Sequence, residues 1–311
     1  MLRYIAGRLV AALVVLWLVV TVTFFLMHAI PGGPYDRERK IPDNIRANVE
    51  KRYHLDEPLW KQYADYLHNL VRFDLGPSLK NEGRTVNDLI AEFFPRSAIL
   101  GALALVLALG VGVPAGVISA LRRNRWQDHA VMFAAIVGVS VPSFILGTVL
   151  LYLFALKLRW LPAAGWGSWR ELVMPAIALA SFALAYIARL TRISLLDVLG
   201  EDYIRTARAK GLPGGRVVVF HALRNALIPL VTYLGPQIAA ILTGSFVVEY
   251  IFAIPGLGRF FVTSIYDRDY TVILGLAVFY AAFLVLMNLL VDLFYVVLDP
   301  RISLEKEKVG G

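Results

Sequence analysis

Long apolar blocks alternate with short charged segments along this chain. Six blocks reach the roughly 20 mostly apolar residues that a helix needs to cross a bilayer: Leu9–Ile30, Ala98–Leu121, Ala130–Leu156, Leu172–Ala188, Ala226–Val248 and Thr271–Leu298. The first carries no formal charge and would run about 33 Å at 1.5 Å per residue. No small-residue cleavage site follows it; HAIPGGPY does, so it reads as a permanent span rather than a signal peptide. The fourth block is the shortest. Pro114, Pro142, Pro175, Pro229 and Pro236 fall inside blocks. Helix breaks at membrane depth persist where protein or a water-filled cavity satisfies the freed backbone groups. The pattern therefore predicts an all-α bundle around a path, not a simple anchor. Gly112 and Gly116 form a GxxxG pair, which predicts close helix packing.

The polar segments divide the chain. Residues 1–31 hold the first span and 32–97 a long outer segment. Residues 98–300 hold five further spans, with an inner loop at 189–225, and 301–311 form a charged tail. In the outer segment, Asp43–Tyr53 and Pro58–Phe73 read as amphipathic helices, with Pro58 suited to a first turn. The aromatics Tyr53, Trp60, Tyr63, Tyr66 and Phe73 either pack this cap onto itself and the interface or dock an external partner. Trp160, Trp166 and Trp169, in the connection between spans three and four, suit the outer headgroup belt.

Composition sharpens the picture. The 311 residues are 58% apolar, with mean hydropathy +0.65. There is no cysteine, which excludes a disulfide framework, a thiol nucleophile and a cysteine-ligated metal. Net charge is +8. Arg3, Arg8, Arg122, Arg123, Arg125 and the cations of 189–225 all fall on one side, and short loops on the other side hold few. That bias orients the chain with both ends in the cytoplasm. No GxxxxGK[ST] phosphate loop, HExxH or GxSxG occurs, and residues 138–142 read GVSVP. The histidines at 28, 54, 68, 129 and 221 lack metal-ligand spacing. Asp292 is the one carboxylate inside the blocks. Paired ionisable groups of a protease or proton relay are missing, so no catalytic residue and no metal site are assigned. Asp292 itself makes a helix–helix hydrogen bond, snorkels to the surface, or serves transport.

The most polar long stretch in the second half is Glu201–Pro229. Glu201 and Asp202 begin a short helix where its dipole favours anions, and Arg205, Arg208 and Lys210 end it where cations are favoured. Gly211 is a natural stop and Pro213 prevents continuation. Tyr203, Ala207 and Lys210 share a side, with Thr206 beside them, and small Ala207 and Ala209 permit close approach. The segment is either a cytoplasmic docking helix or a solvated basic connector.

ARAKGLPGGRVVVFHALRNALIP resembles the EAA loop of binding-protein-dependent ABC importer permeases, in the form seen in peptide permeases. Against the general pattern, Ala207, Gly211 and Leu223 match. Arg205 stands for the glutamate, Thr206 for the first alanine, His221 for the isoleucine and Arg224 for the proline. RTARAKG and HALRNAL are the usual form in the dipeptide/oligopeptide branch. PGGP, YHLDEPLWKQYADYL, FDLGPSL, VNDLI, GSFVVEYIFAIPGLGRFF, RDY and VDLFYVVLDPRI extend the resemblance nearly end to end, most closely to the B-type subunit of oligopeptide permeases.

The resemblance implies a six-span type I importer permease of the bacterial cytoplasmic (inner) membrane. It implies a homologous second permease subunit, two cytoplasmic ABC ATPase subunits and an extracytoplasmic peptide-binding protein, with no nucleic-acid partner. The chain would bind no cofactor; ATP and Mg belong to the ATPases. Glu201, Asp202, Tyr203, Arg205, Thr206, Ala207, Arg208, Lys210 and Gly211 become the coupling helix. Oligopeptides are the expected cargo. The same scaffold carries dipeptides, glutathione or nickel, and an ATP-independent channel is the contrasting class. Thr243, Gly244, Ser245 and Glu249 are candidate path-lining residues; plain helix packing with an interfacial carboxylate is the alternative.

Overall fold

The computed structural model describes residues 2–29 and 57–298, with side chains over 7–29 and 57–291. The expected helix Asp43–Tyr53, the side chain of Asp292 and the tail 301–311 lie outside the described residues. In chain order the helices are α1 (Leu2–Ala29), α2 (Leu59–Val71), α3 (Val86–Leu121), α4 (Trp126–Ser140) and α5 (Ser143–Leu150). The last continues through a wide π-helical turn, Leu151–Lys157. Then come α6 (Trp169–Leu199), α7 (Asp202–Ala209) and α8, a composite run over 214–226. The chain continues with α9 (Ile228–Leu242), α10 (Phe246–Ile251), α11 (Leu257–Asp267) and α12 (Tyr270–Leu298).

The bundle is centred on α3 and α6. Gly112 and Gly116 lie against α6 so closely that a Cβ at Gly116 would sit 2.5 Å from the Ala188 carbonyl oxygen. A Cβ at Gly112 would sit 2.9 Å from that of Leu184. Ala180, Ala183 and Ile187 of α6 bury against Ala104, Leu105 and Ala108 of α3. Lipid tails provide no hydrophobic drive between helices, so contact at this range supplies van der Waals attraction instead. α9 joins through Gly101, whose Cβ would meet the Ile241 carbonyl oxygen at 2.6 Å. By contrast, α1 is apolar all round and turns most of its side chains outward. Among its described side chains Val20, Phe24 and Met27 are the buried ones.

Three expected boundaries move. The third block does not cross as one rod: α4 and α5 meet at 103°. Pro142 has no N–H and sits at φ −57°, ψ 141°, so helix cannot run through it. The fourth block extends to Leu199, because Leu190, Leu195, Leu196 and Leu199 keep an apolar stripe going beyond Arg189 and Arg192. The inner loop is correspondingly shorter than 189–225. The limit at 97/98 falls inside α3, which starts at Val86 behind a capping box. The Thr85 hydroxyl accepts from the Asp88 N–H at 3.2 Å, and the Asp88 carboxylate accepts from the Thr85 N–H at 3.0 Å. Among the described residues, five helices are long and apolar enough to cross a membrane, six crossings if the bent pair counts as one.

The seam is testable with a matched pair of glycines. Gly116→Leu should cost about 3 kcal/mol or more through overpacking and lower the apparent melting temperature of the detergent-solubilised chain. Gly110, on the same helix with nothing within 4 Å of a Cβ, should accept leucine with little change.

Candidate functional site

At the inner end, α7 lies across the ends of α3, α6 and α8. Ile204 and Ala207, three residues apart and so on one face, are its buried side chains. They enter a cluster with Ala120, Leu195, Val217, Ala222 and Ala226. Ala207 therefore faces the bundle, while its helical neighbours Tyr203 and Lys210 stay exposed. The apolar Ile204 decides which face turns inward. Glu201, Asp202, Tyr203, Arg205, Thr206, Arg208, Ala209, Lys210 and Gly211 are exposed. Arg205 pairs with Asp202 at 3.2 Å, both in solvent, an ion pair that adds about 1 kcal/mol at most. The Thr206 hydroxyl donates to the Asp202 carbonyl at 3.0 Å. Asn225 donates to the Tyr203 hydroxyl at 2.8 Å, tying α7 to α8. Gly211 stops the helix at φ +77°, its N–H bonded to the Arg208 carbonyl at 2.9 Å. Any L side chain is disfavoured there by about 1–2 kcal/mol.

Beside this cluster is a charged pair that sequence reasoning did not single out. Arg192 of α6 donates from Nε and from a terminal nitrogen to the two carboxylate oxygens of Asp128, at 2.6 and 2.8 Å. The same carboxylate accepts from the Ser119 hydroxyl at 2.5 Å and the Asn124 N–H at 2.9 Å. One buried anion thus joins the end of α3, the basic turn, the start of α4 and α6. Ser119 and Arg192 flank Ala120 and Leu195, which hold α7. An acidic residue in the otherwise basic RRNRWQDH, with an arginine inside an apolar stripe, was the available signal.

At the outer end, Thr243, Gly244, Ser245 and Glu249 are brought together, but not around an open path. Thr243 is buried and donates to the Ala239 carbonyl at 2.8 Å. Gly244 breaks the fifth span at φ +101°, and the Ser245 hydroxyl caps α10, accepting from the Val248 N–H at 3.3 Å. Glu249 is completely buried. It accepts from the Ser97 hydroxyl at 2.7 Å and the Arg259 N–H at 3.0 Å, while Ser97 accepts from the Leu257 N–H at 2.8 Å. A Cβ at Gly244 or Gly256 would lie 2.5 Å from a Glu249 carboxylate oxygen. Glu249 is therefore neither an interfacial carboxylate nor an exposed lining group in this conformation. A buried carboxylate needs donors on all sides, and the glycines let the backbone close round it. Gly244 and Ser245 keep partial exposure.

A second buried carboxylate, Asp269, fastens the outer loop to the start of α12. It accepts from the Ser78 hydroxyl at 2.5 Å and from the Leu79 and Lys80 N–H groups at 3.2 Å each. Among the candidate aromatics, Tyr63 and Tyr66 pack on Phe24 of α1, while Trp60 and Phe73 are exposed. Tyr53 is outside the described residues. Burial pushes the Tyr66 phenol above its ordinary range. Trp160 and Trp169 face outward, and Trp166 packs under the outer loop. Among the described residues no group of His, Asp and Glu is placed to hold a metal ion.

Residues 112–304 match the family described as binding-protein-dependent transport system inner membrane component, and 1–99 match its companion N-terminal region. The dipeptide transport system permease protein DppB of Bacillus subtilis is 50% identical over 307 residues, 99% of this chain and 100% of that protein. The oligopeptide transport system permease protein OppB of Salmonella typhimurium is 45% identical over 304 residues, 97% of this chain and 99% of that one. An inward-facing structure of the MetNI methionine ABC transporter shares the fold. Its TM-score is 0.56 at 20% identity, over 68% of this chain and 96% of that chain.

Removing Arg192 from the inner ion pair should leave an uncompensated buried charge on Asp128. Arg192→Ala, which strands the buried Asp128, should cost about 3–5 kcal/mol, Asp128→Ala less because Arg192 is partly exposed, and the double variant less than their sum. Thermal unfolding of the solubilised chain measures all three.

Proposed function

The chain belongs to the family of binding-protein-dependent transport system inner membrane components, and we propose that it is the peptide permease subunit of an ATP-driven importer. The relatives named for dipeptide and for oligopeptide transport align over almost the whole chain. Both support peptide cargo, and FDLGPSL favours oligopeptides within that class. In this reading the chain pairs with a second permease subunit and receives peptide from an extracytoplasmic binding protein. ATP and Mg are bound by two cytoplasmic ATPase subunits.

The observation that carries the proposal is the two-faced construction of α7. Its outer face is charged and its inner face is locked into the bundle by Ile204 and Ala207. A partner that moves α7 must therefore push on Ala120 and Leu195, at the inner ends of α3 and α6. The Asp128–Arg192 pair stiffens the same junction, so displacement passes into the seam rather than dissipating in the turn. Closure of the ATPases would draw the inner ends together and open the outer side. Reopening would return the bundle and release peptide inward. The region Thr243–Glu249 is the proposed outer part of the path. Gly244 and Ser245 would meet cargo, with Glu249 holding the surrounding loop in shape.

Gly211→Asp tests the coupling role. Uptake of radiolabelled peptide by cells should fall to background while the chain remains at normal levels in the membrane. A channel that opens without ATP would keep its uptake, and that result would contradict the proposal.

A further inference from the structure

We propose that the groove between α1, α12 and the end of α2 is a binding site for one acyl chain of a membrane phospholipid. The groove encloses about 790 Å³, within the roughly 300–1,000 Å³ of ordinary ligand pockets. Leu13, Trp17 and Val20 form one wall, Val278 and Ala282 the other, and Ala91 of α3 the floor. Apart from Asn87 and the Trp17 indole, the lining is hydrocarbon and phenyl ring.

The surroundings say what fills it. The wall residues Leu13 and Trp17 are 66% and 52% exposed and sit on a helix whose remaining outward face is apolar, so the groove is continuous with the surface that meets the bilayer. Phe24 and Met27 pack beside Ile273 and Leu274 near the outer start of α12, and the groove lies farther along both helices toward the membrane centre. A bare cavity with this apolar lining would forfeit dispersion contacts.

The roof is built rather than incidental. α2 has no fully buried residue, yet Leu70 and Val71 line the groove from above. Phe73 follows in the left-handed region at φ +59°, a conformation that bulky residues seldom adopt. Asn87 holds it there: its amide nitrogen donates to the Phe73 carbonyl at 2.7 Å, and its oxygen accepts from the Leu75 N–H at 3.0 Å. The pinned turn keeps Phe73, 85% exposed, on the groove. An acyl chain beneath would cover this apolar underside and prop α2 against α1.

The test uses the full chain, with its co-purifying subunits, in mild detergent. The probe is a phosphatidylethanolamine carrying a photoreactive diazirine in its acyl chain, and adducts are mapped by mass spectrometry. Labelling should concentrate several-fold on Leu70, Ala91 and Ala282 over Phe133 and Val106, which are 69% and 68% exposed in the isolated chain. Excess unlabelled phospholipid should compete it away. The double variant Ala91→Phe, Ala282→Phe should lose the groove adducts and keep those at Phe133, which also reports that it folds. If the variant does not fold, saturation in the unaltered protein decides. Uniform labelling that does not saturate would mean annular lipid only and overturn the proposal. A groove left unlabelled while Phe133 is labelled would do the same, because protein rather than lipid would then fill it.

Discussion

The contact between the backbones of α3 and α6 is the constraint on which the rest depends. Gly112 and Gly116 remove the side chains that would separate the helices, and the alanine-rich face of α6 fills the space. Two helices in contact at this range have little freedom to slide. Whatever is fixed to their ends is therefore fixed to one body. At the inner end that includes the Asp128–Arg192 pair and, through Ala120 and Leu195, α7. At the outer end Ser97, on α3, is bonded to Glu249. The docking helix and the outer loop are attached to opposite ends of one seam.

Both attachments use buried polar groups, and the chemistry differs with depth. Asp128 is balanced by a guanidinium. Glu249 is satisfied by a hydroxyl and by N–H groups of a loop whose glycines admit it. Neither arrangement tolerates partial opening, since a carboxylate stripped of its donors in a low-dielectric setting is costly. Such junctions hold one geometry or exchange it whole, which suits a part that must alternate between discrete conformations.

Much of the fold was legible because membrane depth enforces simple rules. Apolar block length located the crossings and arginine bias oriented them, but the break at Pro142 was not singled out from Pro114, Pro175 and Pro236, which lie inside continuous helices. The short helix ending at Gly211 was legible from dipole-matched charges and its stop, and the family resemblance read from RTARAKG and HALRNAL agrees with the matches across the chain. What escaped depended on pairing between distant positions. Arg192 looked like the start of a loop until Asp128 neutralised it, and α6 therefore ran on to Leu199. Glu249 looked available to a path because nothing local announces that Ser97, far away in sequence, lies against it. Charge pattern located α7, but burial of its single isoleucine is what turns Ala207 into the bundle. Periodicity places a residue on a face; it does not say which face finds a partner.

The central claim is that force enters through α7 and reaches the bundle by way of Ile204. The most direct measurement is the ratio of peptide transported to ATP hydrolysed by the assembled transporter in vesicles, for Ile204→Ala against the unaltered chain. Truncating a fully buried isoleucine leaves a cavity worth about 2–5 kcal/mol of lost packing and leaves the charged outer face in place. Hydrolysis should continue while transport falls, so that the ratio drops severalfold. An unchanged ratio, with both rates intact or both reduced together, would contradict the claim.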